Sequence, residues 1–278
     1  MIIWLASYPK SGNTWVRLFL ESLIHSKNNK FDINNTKIRQ FPLRKDFTDL
    51  KIDENNIKEF VSNCITCQDK INLDNSFKIF KTHNALWKSE NHAFTNEDNT
   101  HGVIHIVRDP RNVVTSLKNH FNSKNYEEAL NFISNDKQYI GSKFNKKNND
   151  LPTIISSWSN HYNSWKKMKK NYLLIKYEDL LADTFNQFNK IADYLKKNLN
   201  LKFDTSLIEN SIKNCDFKKL TDYENKHGFV EASKDKSGNV KKFFFLGPQN
   251  KWKEILDNKT RNSIEESFKD EMQELKYL

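Results

Sequence analysis

The chain has 278 residues, with 45 basic against 35 acidic side chains and a formal net charge of +10. That length suits one sizeable α/β domain with a real core. The lack of a secretory apolar region and of any apolar run of 18 residues argues against a membrane span and for a soluble, cytoplasmic protein. A basic balance attracts nucleotides, nucleic acid and anionic membranes alike, so charge alone names no partner.

Ile2-Ile3-Trp4-Leu5-Ala6 opens the chain as an apolar strand near 2–7, and a helical pattern follows over 14–25. Between them runs Ser7-Tyr8-Pro9-Lys10-Ser11-Gly12-Asn13-Thr14-Trp15. A strand, a tight turn and a helix start aim free backbone N–H groups and a positive helix end at an anion. Gly12 permits close approach to the backbone, Ser11 and Thr14 add hydroxyls, and Lys10 adds a mobile charge. Phosphate binding is the chemical reading; the plain one is a strand-to-helix turn. A nucleotide-kinase loop would place its lysine directly after the last glycine, whereas Lys10 precedes Gly12 by two residues.

Residues 26–75 carry few sheet signals. They include Cys64-Ile65-Thr66-Cys67, whose C-x-x-C spacing lacks the second pair or histidine cluster of a metal site. Phe77-Lys78-Ile79-Phe80-Lys81-Thr82-His83 alternates apolar and charged residues, predicting a strand over 77–82 that ends at His83. The run Val103-Ile104-His105-Ile106-Val107 predicts a buried strand over 103–108, and Pro110 stops it and starts a helix over 111–122. Arg108 leaves that strand end with a planar fork of donors, and Ser116 follows about two turns into the helix. The alternative for Arg108 is an ion pair with Asp109.

Further helices are expected at 126–143, 153–170, 184–198, 204–214 and 251–274, and a strand at 172–177. Strands alternating with helices predict an α/β fold with a mainly parallel central sheet flanked by helices. The segments 26–75, 120–152 and 220–250 would cover the strand ends, where ligands of open α/β sheets bind.

Four stretches together resemble the sulfotransferases that use 3′-phosphoadenosine-5′-phosphosulfate (PAPS). The stretch Y-P-K-S-G-N-T-W resembles their 5′-phosphosulfate loop, and Lys81-Thr82-His83 matches a K-T-H at a strand's end. Arg108 to Ser116, R-D-P-R-x-x-x-x-S, looks like the 3′-phosphate site, and Tyr177-Glu178-Asp179-Leu180 like the adenine-side strand. The likeness runs from Ile2 to about Trp252 and implies a single P-loop-type domain over 1–278.

It also implies roles. Ser11, Gly12, Asn13 and Thr14 would hold the 5′-phosphate, and Lys10 would neutralise charge on the leaving bridging oxygen. Lys81 would steady the sulfuryl oxygens and His83 would take the acceptor's proton. Arg108 and Ser116 would hold the 3′-phosphate; Trp15 would stack on adenine, with Tyr177 near the base and Phe217 as a further aromatic. PAPS would be the cosubstrate and no metal is required. The acceptor would be a small molecule or glycan bearing a hydroxyl or amine, with neither nucleic acid nor a membrane span involved.

The family's closing loop, R-K-G-x-x-G-x-W-K, is only partly kept. Gly247, Trp252 and Lys253 fit, but Phe245 and Leu246 stand for the two cations and Asn250 for the second glycine. Lys241, Lys242 and Lys251 are candidate replacements for the missing charge, and Phe243-Phe244-Phe245 reads as a buried anchor. The rival readings are a non-catalytic nucleotide- or glycan-binding protein with a degenerate pocket, and an ATP-dependent phosphotransferase. Neither the acceptor nor the oligomeric state is spelled out.

Overall fold

A computed structural model describes residues 1–26, 31–53, 56–89, 91–121, 123–141, 151–233 and 237–278. The chain forms two compact units, each drawn from three segments: 1–8, 38–107 and 133–175 in the first, and 9–37, 108–132 and 176–278 in the second.

The first unit is built on four strands, β1 (Ile2–Ser7), β2 (Lys78–Thr82), β3 (Thr100–Val107) and β4 (Tyr172–Lys176), in the spatial order β2-β1-β3-β4. All six residues of β1 are buried, as a strand between two neighbours requires, so it reads as a continuous apolar run rather than an alternating one. It pairs in parallel on both sides, Trp4 lying opposite Phe80 in β2 and Val103 in β3. Parallel pairing brings the carboxyl ends of β1, β2 and β3 to one edge.

Trp4 centres the core of this unit. Its ring lies 5.0 Å from Phe94, 5.5 Å from Phe41 and 6.4 Å from Trp165, and its Nε1 donates to Thr100 Oγ1 at 3.1 Å. Cys64 and Cys67 belong to the same core. Their thiols donate to the carbonyls of Phe60 and Asp46, and burial pushes Cys64 up to about 12 and Cys67 up as well. Both are buried core thiols, chemically quiet at neutral pH.

The second unit holds α1 (Asn13–His25), α2 (Pro110–His120), α3 (Tyr177–Ala182) and α4 (Phe217–His227), with further helices at Thr184–Leu199, Thr205–Asn214, Asn258–Ser267 and Lys269–Glu274. Phe19 of α1 stacks on Phe188 at 4.1 Å. No helix among the described residues is long and apolar enough to cross a membrane.

All four expected strands form, and three of the expected helices need correction. The helix expected over 126–143 runs only Tyr126–Ser134. Asn135 Oδ1 then accepts from Lys137 N, a side-chain turn that competes with helix, and Tyr139–Ile140 pairs instead with Thr153–Ile154. Residues 142–143 of that expectation, and residue 122 of the helix expected over 111–122, lie outside the described residues. The helix expected from 153 starts at Trp158, where Ser157 caps it by accepting from Asn160 N. The expected 251–274 helix is three pieces, one restarted at Asp257, whose carboxylate accepts from Thr260 N. Helices at Ile57–Ser62 and Cys64–Asn72 fall in the 26–75 segment and α4 overlaps 220–250, segments expected to form helices and loops without stated bounds.

Candidate functional site

The second unit contains every residue expected to hold a nucleotide. Gly12 precedes α1 with φ 101°, and α1 has neither a side-chain cap nor an acidic residue in its first turn. A helix start of this kind, with its positive end, favours an anion. A Cβ on Gly12 would sit 2.6 Å from the Tyr177 ring, so glycine is required by packing as well as by φ. Lys10 also adopts a left-handed φ of 67°, which tightens the turn between Pro9 and Gly12.

Arg108 is buried and does not pair with Asp109. Its Nη1 donates to the Lys10 carbonyl at 2.9 Å, and its guanidinium lies 4.1 Å over the Tyr177 ring. Asp109 belongs instead to Arg111, which grips both carboxylate oxygens, reaches Glu265 at 2.6 Å and stacks 3.9 Å over Trp252. Within R-D-P-R, then, the second arginine is taken up by ion pairs, and the first is held by the Lys10 carbonyl and the Tyr177 ring. Ser11 Oγ and Arg108 Nε are buried in this cradle and have no hydrogen-bond partner among the described residues. Since buried polar groups are normally satisfied, the cradle fits an anion that completes them.

A chain of contacts links the cradle to the altered closing loop. Trp15 meets Tyr177 edge-on at 5.9 Å. Lys10 Nζ sits 4.8 Å over Phe243, Phe243 packs on Phe244 at 5.1 Å, and Phe244 reaches Phe217 at 6.5 Å. Phe217 in turn fills the space beside Gly247, where a Cβ would come within 2.2 Å of its ring. Phe243 and Phe244 anchor the loop as expected, but Phe245 is 55% exposed and does not. Lys241 Nζ donates to the Asn119 carbonyl in the last turn of α2, whereas Lys251 pairs with Glu254 at 3.2 Å. Ser116 is half-buried on α2 and Lys242 is exposed; neither joins this chain of contacts among the described interactions.

Four acidic or amide side chains had no sequence signal. Glu224 of α4 accepts from Phe243 N at 2.7 Å and Phe244 N at 3.0 Å, clamping the loop. Asn250 does the work that a glycine would leave undone: it accepts from Thr115 Oγ1 and donates to the Asn112 carbonyl, tying the loop to α2. Glu231 accepts from Thr14 Oγ1 and pairs with Arg17 at 3.0 Å. Glu178 accepts from Asp109 N at 3.0 Å, and burial raises its carboxyl above the usual range against the pull of that hydrogen bond. Glu178 and Asn250 lay inside motifs that did not signal these bonds; Glu224 and Glu231 become visible only once distant segments meet.

The first unit holds Lys81 and His83. Lys81 is buried near the end of β2, and its backbone is held by Phe41 and Arg39. His83 follows the strand, half-buried, with Nδ1 2.8 Å from the Ser7 carbonyl and 3.3 Å from Ser7 Oγ. A carbonyl only accepts, so Nδ1 carries the proton and Nε2 is the basic nitrogen. Behind it lies His161, fully buried and hydrogen-bonded to the His83 and Asn84 backbone. Burial, followed by the charges of His105 and His83, pushes His161 well below its ordinary value. Trp165 Nε1 donates to the Asn84 carbonyl at 2.8 Å, and Asn84 Oδ1 accepts from Ile154 N, so the segment after β2 is held from two sides.

Residues 2–276 match the sulfotransferase domain family. Human Sulfotransferase 2A1 is 26% identical over 209 residues, covering 74% of this chain and 63% of the relative, just under two thirds of its length. The Macaca fascicularis Sulfotransferase 2A1 is 26% identical over 276 residues, covering 98% and 84%. Flavonol 3-sulfotransferase of Flaveria bidentis is 25% identical over 276 residues, covering 95% and 79%. Among solved structures, mouse sulfotransferase SULT7A1 complexed with PAP aligns with a TM-score of 0.61 at 18% identity, over 97% of this chain and 83% of that one. Retinol dehydratase in complex with androsterone and PAP aligns with a TM-score of 0.60 at 18% identity, over 98% and 80%. At such identities the structures establish the shared fold. With motifs and fold in agreement across nearly its whole length, this chain belongs to the sulfotransferase domain family of transferases.

Proposed function

We propose that the chain transfers a sulfuryl group from PAPS to a hydroxyl or amine on a small-molecule or glycan acceptor, in the cytoplasm. The observation that carries the nucleotide half is the cradle, where a helix start with no side-chain cap sits beside a buried serine hydroxyl and an arginine Nε that lack hydrogen-bond partners among the described residues. PAPS supplies an already activated phosphosulfate anhydride, so the protein's task is to position groups and stabilise charge.

In this reading Ser11 to Thr14 hold the 5′-phosphate, and Arg108, with Ser116, holds the 3′-phosphate. Trp15, Tyr177 and Phe217 enclose the base. Lys10 leaves the Phe243 ring to neutralise charge on the bridging oxygen, and Lys81 steadies the sulfuryl oxygens. His83 accepts the acceptor's proton at Nε2, its tautomer held by the Ser7 carbonyl.

The test is thermal stabilisation by 3′-phosphoadenosine 5′-phosphate (PAP) beside ADP and ATP with magnesium. Selective stabilisation by PAP without metal, followed by PAPS-dependent sulfation of an acceptor panel, is the expected result. A preference for ATP with magnesium overturns the cosubstrate. Tight PAP binding with no sulfation of any acceptor favours the non-catalytic alternative.

A further inference from the structure

Glu178 and Tyr277 form a strut behind the cradle. The two turns that present Arg108 and Tyr177 are stitched together by Glu178, whose Oε1 accepts from Asp109 N at 3.0 Å. Its other oxygen, Oε2, accepts from the Tyr277 hydroxyl at 2.9 Å. Tyr277 is itself pinned from both turns: Arg111 Nη2 donates to its carbonyl at 2.7 Å, and Lys176 Nζ lies 4.7 Å over its ring while donating to the Leu275 carbonyl. These groups line one cavity of about 500 Å³ together with Trp252, Lys253 and Lys276. Arg111, already paired with Asp109 and Glu265, and Lys176 thus both tie down the segment around Tyr277, while among the described residues Arg108 Nε has no hydrogen-bond partner.

We propose that Tyr277 is a positioning residue for recognition of the nucleotide's 3′-phosphate. By holding Glu178 it fixes the turn that aims Arg108, and by the same bond it keeps Tyr177 under the guanidinium. A hydrogen bond to a buried carboxylate is among the stronger ones, and removing one partner leaves the other unsatisfied. Loss of the hydroxyl should therefore loosen Arg108 first, and reach the 5′-phosphate loop only through the Arg108–Lys10 bond and the Tyr177 ring beside Gly12. The inference rests on the PAPS reading above.

The experiment is isothermal titration of PAP and of ADP against wild type, Tyr277→Phe, Glu178→Gln and the double variant. Tyr223→Phe serves as control, because it removes a tyrosine–carboxylate bond to Asp32 in the same unit. The wild type is expected to prefer PAP to ADP, and Tyr277→Phe to shrink that preference by about fivefold or more. Glu178→Gln should shrink it similarly, the double variant should add little to either, and Tyr223→Phe should leave it unchanged. A PAP preference intact in Tyr277→Phe, or lost equally in Tyr223→Phe, overturns the strut. If wild type shows no preference for PAP, the cosubstrate reading itself falls.

Discussion

The tautomer of His83, the proposed base, is decided at single atoms. Because His83 Nδ1 faces the Ser7 carbonyl at 2.8 Å, the ring presents Nε2 as its proton acceptor, and the His83→Ala variant should lose turnover while keeping the nucleotide. We expect kcat to fall by about 10²-fold or more, with PAP affinity within about twofold of wild type. Retention of more than about a tenth of the turnover would remove His83 from the base role. This residue was legible because K-T-H closes an alternating strand. The same scale also shows a limit: the sequence offered Asp109 as a partner for Arg108, yet it is Arg111 that Asp109 and Glu265 hold. Glu265 lies 154 residues from Arg111, beyond any local pattern.

Among the elements, the closing loop is where the family pattern and this chain part. Phe245 and Leu246 remove two cations, but the loop is not left loose, since Glu224 holds two of its amides and Asn250 ties it to α2. Glu224→Gln keeps the size but replaces one acceptor oxygen with a donor, leaving a buried loop amide unsatisfied. Stability should fall by about 1–3 kcal/mol in urea denaturation. PAP binding should weaken with it, because Phe243 packs beneath Lys10. Unchanged PAP affinity in a destabilised variant would restrict Glu224 to folding. The overlong helices expected at 126–143, 153–170 and 251–274 failed for a shared reason. Asn135, Ser157 and Asp257 each turn a side-chain oxygen onto backbone N–H groups, and such residues end or restart helices that periodicity alone would continue.

For the molecule as a whole, pH dependence follows from two buried histidines of the first unit. Burial pushes His105 down to about 3 and His161 well below its ordinary value. Unfolded, each titrates near 6.5, so below that pH the unfolded chain binds protons the native state refuses. The stability they confer is complete above about pH 6.5 and drains away as pH falls toward the folded values, by up to about 1.4 kcal/mol per pH unit for each group. Denaturant titrations at pH 7 and 5 should show this loss, and His105→Gln should reduce its slope by one proton's worth. A stability independent of pH across that window would contradict neutral, buried imidazoles.

By itself the sequence determined the four strands, the strand-to-helix turn at Gly12 and the places of Lys81, His83 and Arg108 at strand ends, because each is written in a local pattern. Period-two alternation, an apolar run and a glycine before a helix are properties of neighbouring residues. Only the tertiary structure decided which groups hold that machinery in place. Glu178 meets Asp109 across 69 residues, Tyr277 meets Glu178 across 99, and Asn250 meets Thr115 across 135. A carboxylate or amide on a helix face looks solvated until folding buries it beside an unsatisfied amide or hydroxyl, and that pairing is set by packing rather than by spacing along the chain.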